Sequence, residues 1–190
     1  MNHEERVTGI SVGRPANSQS SECVFSVLYN TMARPENGEI KLSGLQQPKI
    51  RAGLAFMLAS ELSGEPKSIE QALAAVEFVI PALEVTDNGS NVFYVTGGRP
   101  VRADKLDLRT LGVVLERNGH IVGMGAGAQV LDHPAQAIIA AARHVAAKGE
   151  SLAEGSLVLA TGITPEVDVA AQDNILARYQ DMGSISLRFV

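Results

Sequence analysis

The stretch GVVLERNGHIVGMGAG, at positions 112–127, constrains the fold of this chain most strongly. Apolar residues alternate on both sides of Asn118-Gly119 with the period of two that is typical of strands. Asn-Gly tolerates the positive φ angles of a tight hairpin turn, so the stretch predicts an antiparallel hairpin. The letters from Gly123 to Ala128 match Gly-x-Gly-x-x-Ala, but a nucleotide-binding loop needs its glycines at the start of a helix. Within a hairpin arm they indicate close strand packing instead.

The rest of the chain predicts many strands and few helices. One helix is predicted over 68–79 (SIEQALAAVEFV), where Ser68 and Gln71 form a capping pair. A second is predicted over 133–150, with Pro134 at its first position and Gly149 at its end. We therefore expect one domain over 1–190, mainly β with few helices (α+β) and a mixed sheet. The predicted strands are 5–13, 24–30, 38–42, 49–58, 78–86, 92–96, 110–117, 120–128, 156–161, 174–180 and 184–190.

Composition excludes several classes of function. The net charge is −5, and no cluster of lysine and arginine occurs, which argues against a nucleic-acid partner. No run of about 18 apolar residues is present, so no membrane-spanning helix is expected. The start of the chain lacks the apolar stretch of a secretory signal, and the single cysteine, Cys23, allows no internal disulfide. These features predict a cytoplasmic protein.

Two charged residues fall on strands that are otherwise apolar. Arg51 lies in PKIRAGLAF (48–56), on the opposite face from Ile50 and Leu54. Glu84 lies in VIPALEVTD (79–87) among β-forming apolar residues, and a buried carboxylate needs a cation, a metal or hydrogen-bond donors. Glu84 is therefore either the partner of Arg51 in a core ion pair or a ligand or general base in a pocket.

His133, which precedes Pro134, is the histidine of interest. As a helix cap it has a structural role, whereas at a helix N-terminus it could also face a bound anion. The four histidines show no spacing typical of a metal site.

Five stretches follow one another in this order to the C-terminus: VIPALEVTD, GGRP, GVVLERNGHIVGMGAGAQVLDHPAQAI, LVLATGITPEVDV and DMGSISLRFV. Together they resemble the 2-oxopent-4-enoate hydratases and 4-oxalocrotonate decarboxylases of the fumarylacetoacetate hydrolase-like superfamily. The resemblance implies a compact mixed β-sheet or barrel and a metal-dependent lyase of bacterial aromatic catabolism. Family members use Mg²⁺ or Mn²⁺ to hold a 2-oxo acid and to stabilise an enolate. It also implies oligomers, and hydratase and decarboxylase are partners in the family.

In the family, three carboxylates bind the metal. By the resemblance, one of these three positions is a carboxylate in this chain and the other two are different residues. Glu84 matches the third ligand, but the first two, a Glu-Ala-Glu pair, fall on Arg51 and Gly53. The catalytic lysine of the family falls on Ser11. Compared with full-length family members, the helical segment that precedes this region is expected to be lacking.

Other family positions are partly kept. Thr164 matches, while Thr161-Gly162 replaces a Gly-Ser pair. His133 matches, and Asp87 aligns with either of two family aspartates because the following loop is short.

The charge change predicts that the family's metal site is lost and that no cofactor is used. A hard divalent cation prefers several carboxylates, and here one carboxylate faces an arginine. At an effective dielectric of about 20, a unit charge at about 4 Å is worth roughly 4 kcal/mol. Replacing two attractive charges by a repulsive one should abolish binding of Mg²⁺ in that position.

Two functions remain open, and catalytic activity itself is undecided. In the first, a metal-independent lyase binds a small 2-oxo or enol acid, with Glu84, Asp87 and His133 as candidate proton carriers. Its substrate-binding residues are then Arg51, Ser11, Thr161 and Thr164. In the second, the chain is an inactive relative that serves as a binding protein or as a subunit beside an active homologue. In either case we expect a homo-oligomer or a hetero-oligomer.

Overall fold

Within residues 4–14 and 22–190, which the computed structural model describes, the chain forms thirteen strands and two α-helices. Short 3₁₀ turns lie at Asn30–Met32, Ala103–Lys105 and Gly127–Gln129. The helices are α1 (Ile69–Ala74) and α2 (Gln136–Ala146). The strands are β1 (Val7–Gly13), β2 (Val24–Tyr29), β3 (Ala33–Arg34), β4 (Glu39–Ile40), β5 (Pro48–Leu58), β6 (Val76–Asp87), β7 (Ser90–Thr96), β8 (Gly112–Arg117), β9 (His120–Ala126), β10 (Leu157–Thr161), β11 (Val167–Asp168), β12 (Asn174–Tyr179) and β13 (Gly183–Phe189).

The strands build two sheets. The larger sheet has the order β2-β1-β10-β5-β6-β7-β3, with β11 paired to one end of β5. The smaller sheet has the order β4-β13-β12-β8-β9. Three pairs are parallel, namely β1 with β10, β3 with β7 and β4 with β13, and the other pairs are antiparallel. The predicted mainly β, mixed-sheet architecture is confirmed.

The predicted hairpin is present as β8 and β9. Asn118 and Gly119 have φ angles of 52° and 79°, the positive values that a tight turn of this kind requires. The glycines of β9 do lie within a strand, and a Cβ added at Gly125 would overlap the carbonyl oxygen of Ile163. The missing side chain lets the loop that contains Ile163 pack directly on the edge of the smaller sheet.

The prediction of a helix over 68–79 is wrong in its second half. The N-terminal cap is as expected, because the backbone N–H of Gln71 donates to the Ser68 hydroxyl. The helix ends at Ala74, and β6 begins at Val76 and pairs with the end of β5. Val76 suited both the helix stripe and the strand, and tertiary pairing decided for the strand. The second predicted helix is confirmed over a shorter range, 136–146.

Strand β5 is covered on both faces along much of its length. Ile50, Ala52, Leu54 and Phe56 are fully buried in the main core, which lies between the two sheets and α2. The opposite face carries Arg51 and Gly53 and then continues into a second apolar cluster on the other side of the larger sheet. That cluster comprises Leu28, Ala55, Ile80, Ala82, Tyr94 and Leu159.

Two hydrogen bonds show that the larger sheet is strongly curled. The Ser11 hydroxyl on β1 donates to Glu84 Oε1 on β6 at 2.7 Å, although β10 and β5 lie between these strands. The Thr8 hydroxyl on β1 lies 3.0 Å from the Tyr94 hydroxyl on β7. Neighbouring strands are about 4.8 Å apart, so only a sheet that closes toward a barrel brings these side chains together. The second cluster and Arg51 therefore lie on the concave side.

In the described part of the chain, neither helix combines the length and the apolarity needed to cross a bilayer.

Candidate functional site

The centre of the site is an ion pair between directly opposed residues of β5 and β6. Arg51 and Glu84 are partners in the antiparallel register, so both side chains leave the concave face of the sheet together. Arg51 Nε donates to Glu84 Oε2 at 2.5 Å. The ion pair, which was one of two interpretations of Arg51 and Glu84 from the sequence, is therefore present.

The carboxylate of Glu84 is buried and saturated with donors. Its side chain is 2% exposed. Oε1 accepts hydrogen bonds from the Ser11 hydroxyl at 2.7 Å and from Asn91 Nδ2 at 3.0 Å, while Oε2 accepts from Arg51. Three donors and one opposite charge offset the cost of removing this carboxylate from water. Glu84 is therefore fixed in position by these contacts.

Arg51 lies between two carboxylates and faces a pocket. Its side chain is 13% exposed, and Nη1 donates to the backbone oxygen of Arg14 at 3.3 Å. Nη1 also lies 3.7 Å from Oε1 of Glu166, a distance too long for a hydrogen bond. The Nε edge is thus committed to Glu84, whereas the Nη1 edge is held loosely.

The pocket beside Arg51 has a volume of about 270 Å³. Three cationic side chains line it, those of Arg14, Lys49 and Arg51, against the carboxylate of Glu166. Even when the buried Glu84 is included, cations outnumber carboxylates. A concave site with convergent cations and few acids suits a small anion.

Thr161 and Thr164 form part of the pocket wall, and their substrate-binding role stays a prediction. Both are buried, at 2% exposure. The Thr164 hydroxyl oxygen accepts the backbone N–H of Ala52 at 3.0 Å, and the Thr161 hydroxyl donates to the backbone oxygen of Val12 at 3.5 Å. The loop between them is therefore fastened to β5 and β1, so its position relative to Arg51 is fixed.

Gly53 leaves no space for a side chain. It pairs with Thr161 across β5 and β10, and a Cβ added to it would lie 2.3 Å from the carbonyl oxygen of Ala160. A larger residue at this position requires the two strands to separate.

Asp87 and His133 are not brought to the pocket. Asp87 Oδ1 accepts the backbone N–H groups of Gln46 and Gln47, at 2.9 and 2.7 Å, and so fastens a turn. His133 Nδ1 accepts the backbone N–H of Ala135 at 3.1 Å, which is a capping contact just before α2. The catalytic roles of Asp87 and His133 stay predictions.

The environment of His133 favours the neutral imidazole. Burial lowers the pKa of His133 below its ordinary value, and the carboxylate of Asp107 offsets part of that effect. Neutral Nδ1 is an acceptor, which agrees with its hydrogen bond from the backbone.

Sequence reasoning missed three charged groups of the pocket and one donor to Glu84. The missed residues are Arg14, Lys49 and Glu166 in the wall and Asn91 behind it. Glu166 lies two residues after Thr164, within the stretch LVLATGITPEVDV, so its place in the pocket loop could have been proposed. Arg14 and Asn91 lie at strand ends, and only the curl of the sheet brings them near Arg51.

The described residues show no set of donors typical of a metal centre. Across 4–14 and 22–190, no three His, Cys, Asp or Glu side chains are grouped so that they could hold a metal ion. The two carboxylates nearest the pocket, Glu84 and Glu166, are separated by the guanidinium of Arg51.

Comparisons with known proteins found close relatives, although no protein-family model matches the chain. A 4-oxalocrotonate decarboxylase from Pseudomonas sp. strain CF600 is 37% identical over 97% of this chain and 78% of its own length. A 2-oxo-hept-4-ene-1,7-dioate hydratase from Escherichia coli is 32% identical over 92% of this chain and 74% of its own length. The solved structure of 4-oxalocrotonate decarboxylase from Pseudomonas putida G7, complexed with magnesium and adipate, is 33% identical and superimposes with a TM-score of 0.92. The superposition covers 98% of this chain and 79% of the chain in that structure.

Proposed function

We propose that this chain, which belongs to the family of 4-oxalocrotonate decarboxylases and 2-keto-4-pentenoate hydratases, binds a small 2-oxo or enol acid beside Arg51. The fold is that of the fumarylacetoacetate hydrolase-like superfamily, and family members are hydratases and decarboxylases of 2-oxo acids. The observation that carries the proposal is the Arg51–Glu84 pair at the wall of a cationic pocket. The guanidinium takes the role that the divalent cation has in the family.

The residues around Glu84 do not fit the metal that a related structure contains. The family's first ligand position is Arg51 by the resemblance, and its Nε lies 2.5 Å from Glu84 Oε2. Ser11 and Asn91 occupy the other carboxylate oxygen. At about 4 Å and an effective dielectric of about 20, the repulsion between one guanidinium charge and a cation is worth roughly 4 kcal/mol per unit charge. A divalent cation beside Glu84 would therefore meet a positive charge in place of a second carboxylate.

Steric closure at Gly53 supports the same interpretation. By the resemblance this is the family's second ligand position, and here the carbonyl oxygen of Ala160 lies where a Cβ would be. Neither of the two changed positions offers a carboxylate, and one of them has no room for any side chain.

Arg51 is suited to hold a carboxylate directly. A guanidinium presents donors in a planar fork that matches a carboxylate, and its Nη1 edge lines the pocket without a strong partner. Arg14 and Lys49 add positive charge, so a negative charge that develops on an enol oxygen would be stabilised. The hydroxyls of Thr161 and Thr164 would supply neutral hydrogen bonds at the wall.

Binding of pyruvate, the simplest 2-oxo acid, tests this proposal. We expect saturable binding in the presence of a chelator, followed by NMR titration, and a loss of about tenfold or more in Arg51→Gln because a charge-assisted hydrogen bond is removed. Arg51→Gln/Glu84→Gln is the second variant, since it leaves no unpaired buried carboxylate. Arg178→Gln, which removes a 60% exposed arginine of the other sheet, is the matched control and should bind normally. Binding that requires added Mg²⁺, or that survives in both Arg51 variants, contradicts the proposal.

A non-catalytic relative is the second candidate function, and the saturation of Glu84 favours it. A carboxylate that already accepts three hydrogen bonds is a poor proton carrier, and neither Asp87 nor His133 lines the pocket. Turnover of 2-hydroxymuconate-type and 2-hydroxypentadienoate-type substrates, followed by ultraviolet absorbance with and without metal, separates the candidates. Turnover that is unaffected by chelator supports a metal-independent lyase. Binding without turnover supports a binding protein, and a homologue that co-purifies supports a subunit role.

A further inference from the structure

Arg51 has two carboxylate neighbours that differ in how firmly they are held. Glu84 is 2% exposed and accepts three hydrogen bonds. Glu166 is 12% exposed, and its one charged partner among the described residues is Arg51, at 3.7 Å. Only the weaker contact can give way without breaking a buried network.

We infer that Glu166 is a specificity-determining residue that competes with the ligand's carboxylate for the Nη1 edge of Arg51. The inference rests on the function proposed above. Glu166 and Arg51 line the same pocket and their charged groups are 3.7 Å apart, so a carboxylate that binds Nη1 from the pocket comes close to the carboxylate of Glu166. Like charges repel, and the ligand must displace Glu166 to bind.

The other charged groups at this pocket do not remove the competition. Arg14 and Lys49 also line the pocket and attract the ligand. They do not remove the contact between Arg51 and Glu166. Lys49 lies 4.0 Å from Asp168, whose side chain is 87% exposed, so that pair is loose and screened by solvent. Glu84 stays with the Nε edge. Nη1 also donates to the backbone oxygen of Arg14 at 3.3 Å, but that oxygen is uncharged, so the competition between negative charges at Nη1 is between Glu166 and the bound acid.

The consequence is a selectivity by charge that Glu166 sets. Displacing Glu166 makes the binding free energy of an anionic ligand less favourable, whereas a neutral ligand of the same shape does not need to displace it. Removing the charge of Glu166 should strengthen binding of the anion and leave binding of the neutral analogue unchanged.

Pyruvate and its neutral amide, pyruvamide, are the probes for the test. In Glu166→Gln we expect pyruvate to bind about two- to fivefold more tightly, the effect of removing one partly screened charge contact. We expect the dissociation constant of pyruvamide to stay within about 1.5-fold, since a neutral ligand has no charge term with Glu166. Glu166→Ala is a second variant and should behave in the same way, with folding of each variant checked by thermal unfolding. Glu154→Gln, an exposed position outside the pocket, removes the same net charge and should change neither constant.

The outcomes distinguish this inference from the proposed function. If wild type binds pyruvate in an Arg51-dependent way and both Glu166 variants bind it no more tightly, the competition is refuted and the function stands. If both probes tighten equally, Glu166 acts by shape and the inference is again refuted. If wild type and the Glu166 variants bind no pyruvate while Arg51 is intact, the proposed function itself fails.

Discussion

Replacing Arg51 by methionine removes the cation from the buried pair and keeps most of the apolar length of the side chain. Glu84 then stays in place at 2% exposure, with its charge balanced only by the neutral donors of Ser11 and Asn91. Breaking a buried ion pair by removing one partner typically costs about 3–5 kcal/mol. Because two hydrogen bonds to the carboxylate survive, we expect a loss near the lower end, about 3 kcal/mol.

Removing both charges should have a much smaller effect. Arg51→Met/Glu84→Gln leaves an uncharged amide that can still accept from Ser11, so no unpaired charge is buried. Replacement of a buried pair by uncharged groups of similar volume is often close to neutral. We expect the double variant to lie within about 1.5 kcal/mol of wild type, and therefore to be about 1.5 kcal/mol or more stable than Arg51→Met.

Urea unfolding monitored by circular dichroism measures these free energies. The Arg178–Glu116 pair provides the control, because its Nε–Oε1 distance is 2.8 Å but its arginine is 60% exposed. Arg178→Met should cost only about 0–1 kcal/mol, as surface pairs do. If Arg51→Met costs no more than Arg178→Met, Glu84 has another source of compensation and the electrostatic reasoning about the site fails.

Two further predictions concern the backbone and pH. Gly53→Ala should lower the free energy of unfolding by about 1–3 kcal/mol through overpacking. Gly112→Ala is the control and should be close to neutral, because its Cβ would lie 3.7 Å from the nearest atom. Equal urea midpoints for the two variants would contradict this prediction. Because burial holds the folded-state pKa of His133 below its ordinary value of 6.5, the unfolded chain binds more protons, and stability is lost as pH falls below about 6.5. His133→Asn, which can still accept from the backbone, should reduce that loss in urea titrations at several pH values, and the exposed His120→Asn should not.

Local sequence patterns predicted those parts of the fold in which a single residue type, such as a turn dipeptide or a helix cap, determines the local conformation. The hairpin depended on Asn118-Gly119, and both residues adopt the positive φ angles that this dipeptide tolerates. The start of α1 depended on Ser68, whose hydroxyl caps the helix as expected. The end of α1 could not be predicted in the same way, because Val76 and the residues after it satisfy a helical stripe and a strand equally. Pairing with β5, which lies earlier in the chain, settled their conformation.

The site was predictable to the extent that it depends on neighbouring strands. Arg51 and Glu84 were recognised as charges on apolar strands, and direct opposition in the register brings them together. Ser11 and Asn91 reach Glu84 only because the sheet curls, and curl is a property of the whole sheet that no local pattern records. Glu166 entered the pocket through a loop fastened by Thr164, whose bond to Ala52 is equally non-local.

The proposal of a metal-free site agrees with the way in which the charge of Glu84 is compensated. Loss of carboxylates alone would leave Glu84 as a buried charge without compensation, at a cost of several kcal/mol. Instead Arg51 supplies the opposite charge, and Ser11, at the family's lysine position by the resemblance, adds a donor without adding a second positive charge. Gly53, at the family's second ligand position by the resemblance, lets the backbone of Ala160 on β10 pack where a side chain would otherwise lie. A single substitution cannot create a set of three carboxylates here, because Arg51 and Gly53 must change together and β10 must move. The arrangement is therefore self-consistent, which supports the proposed binding of an acid at Arg51.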